Sequence, residues 1–94
     1  MINVSANQLA TILNGQLEGD GGVSVTGSAE TDSRLVAAGS IFFAKPGDQA
    51  DGHDFVEDAK SRGAVVAVVE HPVEVDIAQL VVSNTVDALG ALAA

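Results

Sequence analysis

Two polar clusters in this 94-residue chain carry side chains that could bind a ligand or do chemistry. Residues 31–34 read TDSR, and residues 48–53 read DQADGH. A short apolar strand is predicted at 41–44, between the clusters, and it opens onto a turn at 45–47. Hydroxyl, amide and carboxylate groups on both sides of one strand can make many hydrogen bonds to a polar ligand. The pattern therefore favours ligand binding over catalysis.

The first cluster also has a purely structural interpretation. Asp32 and Ser33 could form a turn in which their side chains bond to backbone amides, and the residues alone favour that interpretation. Arg34 is one of only four basic residues in the chain. For Arg34 we expect an internal ion pair with Asp32 or Asp51 at least as readily as a contact with a ligand.

His53 lies between Asp51 and Asp54, a combination that suggests a metal site. Neighbouring side chains at the start of a helix do not share a face, so these three cannot converge on one ion. We predict instead that His53 donates a hydrogen bond at a helix start. A Walker A loop is excluded, because the chain contains no Gly-Lys pair. Four further acidic residues are predicted to be solvated surface: Asp20, Glu70, Glu74 and Asp76.

Composition narrows the classes of partner. Thirteen acidic residues against four basic ones give a formal net charge of −9, which disfavours nucleic acid and anionic membrane surfaces. Three Phe without Trp or Tyr leave almost no platform for stacking bases. No Cys is present, so a disulfide scaffold and a thiolate metal site are excluded. With 47% hydrophobic residues and no long apolar run, the chain is expected to be a soluble, cytoplasmic globular domain.

The first half of the chain predicts one helix and a hairpin. A strand is expected at 2–4, and Ser5 then begins a helix with a capping box completed by Gln8. Leu9, Ile12 and Leu13 would form its buried stripe, and Gly15 would supply the left-handed residue that ends it. The segments 16–18 and 23–25 flank a glycine-rich turn, which is typical of a hairpin.

The second half alternates strands and helices. A helix is expected from Asp51 or Gly52 to Gly63, with a face formed by Phe55, Val56 and Ala59. Strands are predicted at 64–69 and 77–82, and Asn84 or Thr85 would begin a third helix carrying Val86, Leu89 and Leu92. The fold class is therefore α/β, with a small mixed, partly parallel sheet and about three helices. Because the last helical pattern stops without an end signal, residues 1–94 are expected to be the N-terminal domain of a longer protein.

Residues 31–55 follow the pattern T-D-S-R-x-V-x-x-G-x-I-F-F-A-x-x-G-x-x-x-D-G-H-D-F, and A-x-x-x-G-A and a Val-rich strand come after it. This pattern resembles the N-terminal domain of the Mur ligases. The resemblance covers nearly the whole chain, and the order and spacing together are specific, whereas D-S-R or D-G-H alone would be weak. The matching positions are Asp32, Ser33, Arg34, Val36, Gly39, Phe42, Ala44, Gly47, Asp51, Gly52, Ala59, Gly63 and Ala64.

This resemblance implies a function. Such enzymes are ATP-dependent and build the peptide stem of the peptidoglycan precursor. Within the family the chain looks most like the ligases that add D-alanyl-D-alanine to UDP-MurNAc-tripeptide, with the ligases that form the tripeptide as the alternative. The implied partners are UDP-MurNAc-tripeptide, D-Ala-D-Ala and the enzyme's own central and C-terminal domains. ATP and Mg²⁺ would bind in the central domain, and no cofactor is expected in residues 1–94, which would not catalyse alone.

The resemblance also implies which residues bind the UDP end of the precursor. Thr31 and Ser33, together with Asp48, Gln49 and Ala50, would contact the uridine or its phosphates. Asp48 would contribute only its backbone, since a carboxylate faces a diphosphate unfavourably. A different class also fits the composition, namely a non-catalytic acidic α/β interaction domain. The full set of candidate substrate-binding residues is Thr31, Asp32, Ser33, Arg34, Gly47, Asp48, Gln49, Ala50, Asp51, Gly52 and His53, with no catalytic or metal-ligating residue.

Overall fold

Strands and helices alternate along the computed structural model of the chain, which describes residues 3–45 and 52–93. Within these residues the strands are β1 (Val4–Ser5), β2 (Gln16–Glu18), β3 (Ser24–Val25), β4 (Ala29–Glu30), β5 (Ile41–Phe43), β6 (Val66–Val69) and β7 (Ala78–Val81). The α-helices are α1 (Ala6–Leu13), α2 (Val56–Ser61) and α3 (Thr85–Ala93). Two 3₁₀ helices span Ser33–Leu35 and Gly52–Phe55. None of the helices in the described ranges is long and apolar enough to cross a membrane.

The main sheet has five strands in the order β2-β7-β6-β5-β4. The last four strands along the chain run parallel to one another, in a register that pairs Phe43 with Val68 and Val68 with Leu80. Only β2 is antiparallel, at the edge beside β7. The predicted α/β class with a mixed, largely parallel sheet and three helices is confirmed. Because parallel strands end at the same edge, the segments that follow β4, β5, β6 and β7 all emerge together.

Both faces of the sheet are covered, which explains why its central strands are apolar throughout. Ile41 and Phe43 contribute to the core under α1 and α3, whereas Phe42 contributes to the core under α2. Strand β6 is buried along its whole length, as predicted for a strand covered on two faces. Gln79 is the polar member of β7, and its side chain accepts from the amide of Val73 at 2.8 Å and donates to the carbonyl of Val73 at 2.8 Å.

Helix α1 begins as predicted and ends differently. The amide of Gln8 donates to the Ser5 hydroxyl at 3.2 Å, and the Ser5 amide donates to the Gln8 side chain at 2.9 Å, so the capping box is confirmed. Asn14, with φ 53°, takes the left-handed position that was predicted for Gly15. Gly15 is needed for a different reason, since a Cβ there would lie 2.9 Å from the carbonyl oxygen of Val81. Ile12 is 50% exposed and was wrongly placed in the core.

The predicted hairpin between 16–18 and 23–25 does not form. Strand β2 pairs with β7, and β3 pairs with β1 in a separate two-stranded sheet. The glycine-rich turn between them contains a local bond, from the amide of Gly22 to the carboxylate of Asp20 at 2.8 Å. A turn signal therefore marks where the chain reverses, but the partner of each strand depends on distant residues.

Two glycines fix the α2–β6 turn against the loop that leads into β5. The Gly39 amide donates to the Gly63 carbonyl at 2.9 Å, and both residues have positive φ, 82° and 114°. A Cβ on Gly63 would lie 2.7 Å from the Cα of Ala38. Only glycine fits this position, which confirms Gly63 as the end signal of the second helix.

The second and third helices differ from their predictions in what they bury. A 3₁₀ turn precedes α2, and the side chains of Val56 and Ala59 are buried while Phe55 is 43% exposed. Asn84 caps α3 as predicted, because its side-chain oxygen accepts from the amide of Asp87 at 2.9 Å. Val86 is 52% exposed, and the buried side of this helix is formed by Ala88 with Leu89 and Leu92 packed beside it.

Candidate functional site

The carboxyl edge of the parallel strands gathers the described parts of both polar clusters. The segment 31–34 follows β4, Lys45 follows β5, and Glu70 follows β6. The first 3₁₀ helix contacts α2, which begins at Val56, shortly after the second cluster. In open α/β sheets, ligands bind in the crevice outside the carboxyl ends of the strands. The topology thus supplies a reason for the two clusters to act together.

In the first cluster, Asp32 and Arg34 form a closed unit. The guanidinium of Arg34 donates to both carboxylate oxygens of Asp32, from Nε at 3.0 Å and from Nη2 at 2.7 Å. The Arg34 amide also donates to Asp32 at 3.0 Å, so Asp32 caps the 3₁₀ helix. These bonds from Arg34, first from its side chain and then from its backbone, lower the pKa of Asp32 to about 2. The internal ion pair expected for Arg34 is therefore confirmed.

Ser33 links the first cluster to α2. Its side chain is 5% exposed. A hydrogen bond from the Ser33 hydroxyl lowers the pKa of Asp58, partial burial opposes this effect, and Arg62 adds to the lowering. Arg62 also donates to Asp58 from Nε at 3.0 Å, one turn along the same helix. Ser33 is thus buried against the scaffold, whereas Thr31, two residues earlier, is exposed at the edge of the sheet.

His53 is the described side chain of the second cluster, and it is buried at 7% exposure. Its Nε2 accepts from the amide of Glu70 at 2.9 Å. The ring stacks on that of His71, with centroids 4.1 Å apart and planes 11° apart. His53 therefore accepts a bond from the residue that follows β6, and this bond attaches the start of the second 3₁₀ helix to that strand. Its role as a helix-start donor stays a prediction.

The Glu70 side chain continues this connection to α3. One carboxylate oxygen accepts from the Thr85 amide at 2.9 Å and from the Thr85 hydroxyl at 3.1 Å. Thr85 is 1% exposed and begins the helix, where a negative charge is favourable. The assignment of Glu70 to solvated surface is therefore wrong. No local pattern in the sequence could have identified this pair, because Glu70 and Thr85 are 15 residues apart.

The remaining predicted residues of the second cluster lie largely outside the described part of the chain. Gly52 begins the second 3₁₀ helix. Gly47, Asp48, Gln49, Ala50 and Asp51 lie outside the described residues. Within the described ranges, no group of three or more His, Asp or Glu side chains is placed to hold a metal ion.

A cleft of about 320 Å³ lies at the opposite, amino-terminal edge of the sheet. Its lining residues are Gly19, Asp20, Val23, Lys60, Ala64, Val65, Asp76, Ile77 and Ala78. None of the predicted site residues contributes to it. The cleft is therefore distinct from the candidate site at the carboxyl edge.

Comparison with known proteins identifies the class. A family model described as "Mur ligase family, catalytic domain" matches residues 22–93. The chain belongs to the Mur ligase family.

Several members of that family resemble the chain along its whole length. It is 42% identical over 95 residues to UDP-N-acetylmuramoyl-tripeptide--D-alanyl-D-alanine ligase of Escherichia coli, an alignment that covers 100% of this chain and 20% of that protein. Among solved structures, MurF from Acinetobacter baumannii superposes with a TM-score of 0.86 at 35% identity, covering 98% of this chain and 20% of that one. The chain thus spans about one fifth of the length of these relatives.

A second branch of the family matches over a shorter stretch. The UDP-N-acetylmuramoyl-L-alanyl-D-glutamate--2,6-diaminopimelate ligase of Geobacillus kaustophilus is 48% identical over 64 residues, which are 68% of this chain and 13% of that protein. The resemblance inferred from the spacing of the two polar clusters is confirmed at the level of the family, with similarity to both branches.

Proposed function

We propose that this chain is the N-terminal domain of a peptidoglycan-precursor ligase and binds the UDP end of UDP-MurNAc-tripeptide. The observation that carries the proposal is the convergence of Thr31–Arg34 and the start of the second 3₁₀ helix at the carboxyl edge of the sheet. The alignments over 99–100% of the chain with UDP-N-acetylmuramoyl-tripeptide--D-alanyl-D-alanine ligases of two organisms support the member of the family that adds D-Ala-D-Ala.

The carboxyl edge of the sheet carries groups suited to binding the nucleotide end of the precursor. Uracil and ribose require neutral donors and acceptors, which the exposed Thr31 hydroxyl and nearby backbone groups can supply. Asp32 accepts three hydrogen bonds from Arg34, so we propose that its main role is to shape the first loop. With a net charge of −9, the domain must hold a diphosphate through local dipoles and individual donors.

The chemistry is proposed to take place in the remainder of the enzyme, in the cytoplasm. The chain lacks the Gly-Lys pair of a phosphate-binding loop, so we place ATP and Mg²⁺ in a central domain. ATP would activate the terminal carboxylate of the tripeptide for attack by the amine of D-Ala-D-Ala. Residues of this chain would contribute by fixing the nucleotide end of the substrate, which positions the distant carboxylate.

A tripeptide-forming ligase is the second candidate, because the 48% identity with a diaminopimelate ligase is higher over the shorter stretch that aligns. Phosphate release by the complete gene product separates the two. Turnover with UDP-MurNAc-tripeptide and D-Ala-D-Ala is expected, and turnover only with UDP-MurNAc-dipeptide and a third amino acid would assign the second function. Absence of turnover with either pair, together with no binding of either nucleotide, would instead favour an acidic interaction domain.

A further inference from the structure

The four cations of the chain fall into two groups. Arg34 is held by Asp32 with bonds of 2.7 and 3.0 Å, and Arg62 is held by Asp58 at 3.0 Å. Within the described ranges, no ion pair is formed by Lys45 or Lys60, and both side chains are exposed. Two lysines therefore have ammonium groups available to an external anion, and they lie at opposite edges of the sheet.

Lys45 lies at the candidate site. It follows β5, which is flanked by β4 and β6 in the sheet, so it emerges between the segment 31–34 and Glu70. The carboxylates on either side already have internal donors: Asp32 accepts from Arg34, and Glu70 accepts from Thr85 at 2.9 and 3.1 Å. Glu70 uses only one of its two carboxylate oxygens in these bonds, but among the described residues neither carboxylate forms an ion pair with Lys45, so the ammonium group remains available for a ligand.

We propose that Lys45 binds the diphosphate of the nucleotide ligand, an assignment that rests on the proposed function. A domain of charge −9 repels an anionic ligand at long range, so a cation at the point of contact has a large relative effect. Lysine acts on phosphate as a point charge and does not require bidentate geometry, which suits an exposed position at the end of a strand. Loss of one charge-assisted contact of this kind is expected to weaken binding about tenfold.

Lys60 provides a matched control. It lies near the end of α2 and lines the cleft at the amino-terminal edge together with Ala64 and Asp76. Lys45→Gln and Lys60→Gln each remove one positive charge, so either changes the formal net charge from −9 to −10. The two variants share the same long-range charge and differ only in the edge of the sheet that loses its cation.

The test is calorimetric or NMR titration of the wild-type protein and both variants with UDP-MurNAc-tripeptide, UDP and uridine. Lys45→Gln is expected to weaken binding of UDP and of the precursor about tenfold, with a shallower salt dependence, and to leave uridine binding unchanged. Lys60→Gln is expected to behave as wild type. Equal affinities of the two variants for UDP, or an equal loss with uridine, would overturn the role of Lys45 while leaving the proposed function intact. Failure of the wild type to bind the precursor would overturn both.

Discussion

Removing the Glu70 side chain tests the connection between the edge of the sheet and α3. In Glu70→Ala, the amide and the hydroxyl of Thr85 both lose their acceptor, and Thr85 is only 1% exposed. A hydrogen bond to a charged group contributes about 1.5–3 kcal/mol, and Glu70 is only partly buried. We therefore expect the free energy of unfolding to fall by about 2–4 kcal/mol, which is a large share of the stability of a domain this small.

Two further variants isolate the cause of that loss. Glu70→Gln keeps a side-chain oxygen acceptor and removes only the charge, so we expect a loss of about 1 kcal/mol. Thr85→Val removes the hydroxyl donor but keeps the amide, and it should cost about 1–2 kcal/mol. Because Glu70 and Thr85 share these bonds, the double variant Glu70→Ala/Thr85→Val should lose less than the sum of the two single variants.

Urea unfolding at neutral pH, followed by circular dichroism, measures all of these changes. Glu74→Ala is the control, since Glu74 is exposed in the loop that follows β6, and its substitution should change stability by no more than about 0.5 kcal/mol. The reasoning is refuted if Glu70→Ala matches Glu74→Ala, or if the effects at Glu70 and Thr85 are simply additive.

Three further predictions concern the scaffold of the site. Gly63→Ala should destabilise the protein by about 3 kcal/mol in urea unfolding, because residue 63 has a φ of 114° and an added Cβ would lie 2.7 Å from Ala38. Gly90→Ala is the control: an added Cβ there meets nothing within 4 Å, so this variant should stabilise α3 by about 0.5–1 kcal/mol. The pKa of Asp32 is about 2 in the folded chain, below its unfolded value of about 3.9. Its contribution to the free energy of unfolding is therefore complete above pH ~4 and is lost as pH falls towards 2. Acid titration of the unfolding free energy should show a smaller component when Arg34 is replaced by Ala, because the side-chain bonds are lost while the backbone amide still donates to Asp32. An unchanged profile would contradict the assignment. Gln79→Leu removes both bonds between the Gln79 side chain and the backbone of Val73. We expect the free energy of unfolding to fall by about 2–4 kcal/mol and the amides of the loop before β7 to exchange faster. Unchanged amide exchange would contradict this prediction.

Local signals predicted the features that depend on neighbours in sequence. The capping box of Ser5 and Gln8 forms within three residues, and Gly63 ends its helix because of its own backbone conformation. The strand at 66–69 was predictable because a continuous apolar run fits burial on two faces. In each case the signal lies within one short stretch of the chain.

Features that depend on distant partners were not predictable in this way. Strand β2 pairs with β7, some 60 residues away, and no property of the segment 16–18 identifies that partner. The exposure of Ile12 and Phe55 likewise depends on how each helix is rotated against the sheet, which its apolar pattern alone did not determine. Rotation and pairing are set by the whole core.

The candidate site shows the same division. The alternation of strands and helices was enough to predict a partly parallel sheet, and that sheet brings the segment 31–34 and the start of the second 3₁₀ helix to one edge. The bond from Glu70 to His53 spans 17 residues and could not be read from either cluster. Binding by the segment 47–51 stays a prediction from the resemblance.

A two-dimensional amide NMR titration with UDP-MurNAc-tripeptide, compared with UMP, tests the central claim most directly. The proposed function predicts shifts of the amides of Thr31–Arg34 and of residues near Lys45 and His53, with smaller shifts at the same positions for UMP. Shifts centred on the opposite cleft, at Gly19, Lys60 or Asp76, would contradict it, as would a well-folded sample in which millimolar ligand moves no amide signal.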